Sequence, residues 1–120
     1  MGRIIGIGVD IVKIERFKKS AESPHFLKRV FTGYEQEYLS KKGPETMAGL
    51  FAAKEAVVKA LGTGFAGFWP CEIEIMHCKS GKPYAVLHGK AKDMLAGSFT
   101  INISISHNET DAIAFAVIEG

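Results

Sequence analysis

Between Glu45 and Leu61, apolar residues recur at helical spacing on two sides of one segment. Met47, Leu50, Phe51, Val58 and Leu61 form one stripe, and Ala52, Ala56 and Ala60 line the opposite side. A helix with one apolar stripe lies on a surface; a helix with two has to be covered on both. A chain of 120 residues buries one modest core, so this helix is the element on which the rest must pack. Lys42-Gly43-Pro44 separates it from what precedes, and Gly62 stands where a C-terminal glycine ends a helix.

Short elements surround it. Arg3 to Val9 sets isoleucine and valine between glycines and reads as a buried strand. The glycines Gly6 and Gly8 let another backbone lie close to that strand. Ile11, Ile14 and Phe17, with charges between them, predict a short amphipathic helix over Ile11 to Lys19. Ser23-Pro24 opens a turn through His25 to Phe31. Thr32 with Glu35 is a capping box, which predicts a helix over Gly33 to Leu39. Past a loop through Phe65, Gly67 and Pro70, Glu72 to His77 alternates as a strand, and Ser80-Gly81-Lys82-Pro83 turns it into a second, Tyr84 to Leu87. His88 to Ala96 reads as a short helix. Thr100 to Ser106 alternates strictly, Ile101, Ile103 and Ile105 against Asn102, Ser104 and Ser106. After a polar turn, Ala112 to Ile118 returns as a buried strand. The pattern predicts a single α+β domain over residues 1–120, a mainly antiparallel sheet packed on one long embedded helix.

Hydrophobic residues make up 47% and charged residues 23%, the balance of a soluble globular protein. The uncharged stretch Ile4 to Val9 is about a third of a membrane span, and Asp10 interrupts it too early for a signal peptide. A net charge of +2 is too mild to argue for nucleic acid. The two cysteines, Cys71 and Cys78, lack the second ligand pair that a zinc site needs and read as reduced thiols, which fits a cytoplasmic protein. Charge is unevenly placed: Lys13, Arg16, Lys18, Lys19, Lys28 and Arg29 face only Glu15 and Glu22 over one stretch, a net +4. That is either a solvated face or a docking surface for an acidic partner.

Chemistry concentrates at three places. Gly6-Ile7-Gly8-Val9-Asp10 fails as a dinucleotide fingerprint because Ile11 replaces the third glycine. Asp10 is then either an N-cap at the end of the strand or a metal-binding carboxylate at its edge. On the long helix, Lys54 projects near the middle of the apolar stripe, with Glu55 and Lys59 a turn apart on its flank. A Glu-Lys pair at this spacing is ordinary on a surface. On an embedded helix such charges need partners, and a divalent ion with phosphate is one. Ser106-His107 ends an alternating strand; the two residues point to opposite faces, which excludes a nucleophile–base pair and leaves phosphate binding or a structural role.

Gly6-Ile7-Gly8-Val9-Asp10-Ile11, Phe31-Thr32-x-x-Glu35, Phe51-Ala52-Ala53-Lys54-Glu55-Ala56, Lys59-Ala60-Leu61-Gly62-Thr63-Gly64, Gly81-Lys82-Pro83 and Ile105-Ser106-His107 follow one another in the chain. In this order they resemble the holo-acyl-carrier-protein synthases, the short bacterial 4′-phosphopantetheinyl transferases, over essentially the whole length. The resemblance implies Mg²⁺-dependent transfer of 4′-phosphopantetheine from coenzyme A to a serine of acyl carrier protein, in support of fatty acid biosynthesis. It implies that Asp10 and Glu55 hold Mg²⁺ and that Lys59 lies near the pyrophosphate. Ser106 and His107 would bind coenzyme A phosphates, with Gly62, Gly64, Lys82 and Pro83 as further coenzyme A contacts. The family works as a homotrimer with sites between protomers. Glu55 is the candidate base, directly or through a water, and Lys59 the second catalytic residue. Arg16, Lys19, Lys28 and Arg29 would receive the acidic helix of acyl carrier protein, along a helix that begins at Asp10. Two other classes fit the residues less fully: a Mg²⁺-dependent phosphodiesterase, which lacks a third acidic ligand, and a non-enzymatic module that binds an acidic helix.

Overall fold

In the computed structural model, which describes residues 2–20, 22–64 and 67–120, the chain runs β1 (Ile4–Lys13), α1 (Arg16–Ser20), α2 (Pro24–Val30), α3 (Gly33–Leu39), α4 (Pro44–Leu61), a 3-10 turn (Pro70–Glu72), β2 (Ile73–His77), β3 (Pro83–Leu87), α5 (Gly89–Lys92), β4 (Thr100–His107) and β5 (Asp111–Glu119). The strands form one antiparallel sheet in the order β1-β5-β4-β3-β2. Phe65 and Ala66 of the expected loop lie outside the described residues.

The two-sided pattern of α4 has the expected consequence. Ala52, Ala53, Ala56 and Val57 are fully buried, and Leu50 and Val58 nearly so. The close approach of strand to helix depends on two glycines. A Cβ at Gly8 would stand 1.9 Å from the Ala56 carbonyl oxygen, and one at Gly6 1.9 Å from that of Ala60. Both obstacles are helix backbone and cannot rotate away. Gly8→Val should therefore lower stability at or beyond the top of the roughly 1–3 kcal/mol range for overpacking. A thermal melt checks this, and an unchanged midpoint would contradict the packing.

Several boundaries follow their capping chemistry. The Thr32 hydroxyl accepts from the Glu35 N–H at 3.2 Å and the Glu35 carboxylate accepts from the Thr32 N–H at 2.9 Å, which starts α3 as predicted. Ser23 caps α2, and Gly62 ends α4 in the left-handed region at φ 79°. The predicted helix over His88 to Ala96 is only the four residues of α5; beyond Lys92 the N–H groups of Asp93, Met94 and Leu95 close three-residue turns instead.

Two expectations about β1 need correction. The strand does not stop at Val9 and Asp10 does not cap a helix: Asp10 sits inside β1, paired with Ala114 of β5. The ladder continues to Lys13 opposite Asp111, and helix begins only at Arg16. Continuous pairing with β5, with Val12 buried in the core, outweighs the helical spacing of Ile11, Ile14 and Phe17. Nor are β1 and β5 buried on both faces. Ile7, Val9, Ile11, Ile113 and Phe115 are 42–62% exposed, because α4 covers one face and these residues alternate to the other.

Candidate active site

The sheet and α4 bring the three central candidates together. Asp10 shares the parity of Gly8 and Val12, so its side chain falls on the α4 side of β1. Lys59, in the last turn of α4, donates to Asp10 Oδ1 at 2.9 Å and to the Val9 carbonyl at 3.0 Å. Glu55 lies one turn earlier on the same flank. Its carboxyl is held above the usual range, first by partial burial and then by the Asp10 charge, with Lys59 and Arg16 pulling the other way. Two carboxylates near enough to repel, with two cations beside them, form one electrostatic unit. Arg16 is also 5.7 Å from the centre of the Phe51 ring, which ties α1 to α4 at this point.

Glu55 opens into a cleft of about 610 Å³ whose other walls are Arg29, Phe51, Gly67, Phe68, Trp69 and Pro70. Arg29 lies 5.1 Å over the Trp69 ring, so this expected docking residue is engaged with the wall of the Glu55 cleft. Lys19 in α1 and Lys28 at the end of α2 are exposed. Because β1 carries the chain past Asp10, the basic face is built from these two separate helices and not from one helix that starts at Asp10.

Lys82, Pro83 and His107 come together at a different cleft, of about 520 Å³, together with Ser104, Tyr38 and His77. Ser106 is not part of that lining. It pairs with Ile113, which pairs with Ile11, and this row belongs to the exposed apolar face. His107, opposite Ala112, belongs to the α4 side. The two residues do point to opposite faces. Gly62 and Gly64 follow α4 in left-handed conformations, φ 79° and 66°, in an exposed turn beyond Lys59. Within one chain, then, Glu55 and the Lys82–Pro83–His107 group line separate clefts.

The donor set of Asp10 and Glu55 suits a hard divalent cation: two carboxylates, mutually repelling in its absence. No cluster of three metal-ligating side chains exists among the described residues, so an ion here would complete its shell with water and ligand oxygens. That is the coordination Mg²⁺ prefers beside phosphates.

Lys54, placed by its spacing near the middle of the apolar stripe, meets a buried partner. Its ammonium is buried against the Glu35 carboxylate at 2.7 Å. Burial pushes Lys54 below its ordinary value, and Glu35 opposes that shift. A lysine in the middle of an apolar stripe was the available signal that a buried carboxylate had to meet it. The Phe68–Trp69–Pro70 wall carried no such signal.

The profile of the 4′-phosphopantetheinyl transferase superfamily matches residues 6–116. A holo-[acyl-carrier-protein] synthase of Clostridium botulinum is 52% identical over 120 residues, covering 97% of this chain and 98% of that protein. The synthase of Clostridium kluyveri is 50% identical over 121 residues, covering 97% of this chain and 90% of that protein. The crystal structure of the Helicobacter pylori synthase in complex with coenzyme A superposes with a TM-score of 0.82 at 32% identity, covering 93% of this chain and 98% of that one. The chain belongs to the 4′-phosphopantetheinyl transferase superfamily, and within it to the holo-[acyl-carrier-protein] synthases.

Proposed function

We propose that this chain transfers 4′-phosphopantetheine from coenzyme A to a serine of apo-acyl carrier protein, releases adenosine 3′,5′-bisphosphate, and does so in the cytoplasm in support of fatty acid biosynthesis. The observation that carries the reading is the Asp10–Glu55–Lys59 unit, in a chain about half identical to named synthases. Asp10 and Glu55 would hold Mg²⁺. When bound there, the ion neutralises charge on the pyrophosphate and steadies the leaving group. Lys59, 55% exposed and engaged with Asp10 by a single short contact, is placed to turn its ammonium to the same phosphates. The acceptor Oγ attacks the phosphorus that bears pantetheine; that P–O bond forms as the P–O bond to adenosine 3′,5′-bisphosphate breaks. The serine proton passes to Glu55, directly or through a water.

The remaining coenzyme A contacts are Gly62, Gly64, Lys82, Pro83, Ser106 and His107, divided between two protomers of a homotrimer. Supporting this are the separate clefts lined by Glu55 and by Lys82, Pro83 and His107, and the apolar face of β1 and β5. A face of isoleucine, valine and phenylalanine that its own chain leaves uncovered is the kind of patch that subunits bury. Acyl carrier protein is proposed to dock on Arg16, Lys19, Lys28 and Arg29. Arg16 also acts on Glu55 and Arg29 stacks on Trp69, so the clean test uses the other two. Lys19→Glu with Lys28→Glu should raise KM for acyl carrier protein by at least about tenfold at low salt, since clustered charge speeds encounter by that order. KM for coenzyme A should stay unchanged, and added salt should narrow the difference. Equal KM values for wild type and variant would move the docking surface elsewhere.

Release of adenosine 3′,5′-bisphosphate, followed by chromatography, tests the reaction class. Release should require Mg²⁺ and apo-acyl carrier protein together. Equal release without the acceptor would make the chain a phosphodiesterase.

A further inference from the structure

Glu35 and Lys54 are both fully buried, and among the described residues they are the charged residues in the core. Lys54 donates to Glu35 Oε1 at 2.7 Å and Oε2 at 2.9 Å, to the Pro70 carbonyl at 3.3 Å, and to the Ile73 carbonyl. Glu35 in turn accepts from the Thr32 N–H at 2.9 Å and the Ile75 N–H at 2.7 Å. The pair thus joins the start of α3, the middle of α4, the 3-10 turn and the first residues of β2. Stability alone is a weak reason for such a pair, since apolar residues of similar volume commonly replace a buried ion pair without loss. What the pair holds is more specific. Pro70 belongs to the wall that faces Glu55 across the cleft, and Glu55 is the residue next to Lys54.

We infer that Glu35 and Lys54 are positioning residues: they set the Gly67–Pro70 wall against the Glu55 carboxylate, through Lys54's bonds to the Pro70 and Ile73 carbonyls. This rests on the reading of Glu55 given above. One end of the cleft is then fixed by the helix that carries Glu55, and the other by the ammonium one residue before it. A small displacement of either end moves the substrate relative to the reacting carboxylate, and rates are sensitive to displacements of about an ångström.

Trp69 is the chain's one tryptophan and stands in this wall, so its fluorescence reports the wall directly. The variants are Glu35→Gln, which keeps an acceptor for the Thr32 N–H, and Glu35→Gln with Lys54→Met, which removes both charges. Lys54→Met alone strands a buried carboxylate and is the variant most prone to unfold. Each is measured well below its melting temperature, with full folding verified by circular dichroism. The expected result is a shift in Trp69 emission and acrylamide quenching, together with a fall in kcat of about 10–100-fold at near-constant KM for coenzyme A. A folded variant with unmoved Trp69, or with displaced Trp69 and wild-type kcat, overturns the positioning role. Failure of the reading of the site is separately visible: the wild type would then transfer no phosphopantetheine, whereas Trp69 would still decide whether the pair holds the wall.

Discussion

Asp10→Ala and Glu55→Ala should each lower phosphopantetheine transfer by at least about 10²–10³-fold, the usual cost of removing one preorganised electrostatic element. Stability should change little. Glu55 is half-buried beside a like charge, so its removal relieves repulsion; Asp10 loses only the partly solvated contact to Lys59. Activity should vanish in EDTA and return with Mg²⁺ or Mn²⁺, with Asp10→Ala requiring far more metal. The checks are steady-state kinetics and metal titration of variants whose melting temperatures match the wild type. A folded double variant with full turnover would remove both carboxylates from the reaction.

The second large effect concerns the uncovered sheet face. Ile7→Glu with Phe115→Glu should leave the chain folded, because the core lies on the other side of the sheet, against α4. The same pair should reduce the proposed homotrimer to monomers in light scattering, since two carboxylates without partners cannot be buried between subunits. Activity should fall with assembly, to the level of a single-site knockout, because Lys82, Pro83 and His107 of one chain would no longer reach the Asp10–Glu55–Lys59 unit of another. Mixed Glu55→Ala and His107→Ala chains, each inactive alone, should recover activity after subunit exchange. An active monomer would place the whole site within one chain.

How much of this was legible in the sequence depends on distance along the chain. α3 was readable because its start is fixed by Thr32 and Glu35, three residues apart, each satisfying the other's backbone. α4 was readable because two apolar sides leave a helix no alternative. β1 was misread at its C-terminal end, where Ile11, Ile14 and Phe17 fit a helix equally well and only the distant β5 decides. Its exposed face was misread for a related reason: a run of isoleucine states that cover is needed, not which chain supplies it. At the site, Asp10, Glu55 and Lys59 stood out through motif and spacing. The Lys54–Glu35 link and the Trp69 wall did not, since Lys54 reaches its partners 16 to 19 residues away and Glu35 reaches Ile75 across 40.

Phosphopantetheine transfer is a covalent event, and the intact mass of the acceptor reports it. The protein is incubated with coenzyme A, Mg²⁺ and apo-acyl carrier protein, and the carrier is analysed by mass spectrometry. Each carrier molecule should gain the mass of one phosphopantetheine group, at its modified serine, and omission of Mg²⁺ or substitution of Asp10 and Glu55 should abolish the gain. A carrier whose mass is unchanged after prolonged incubation with the folded wild-type protein would rule out transfer by this chain.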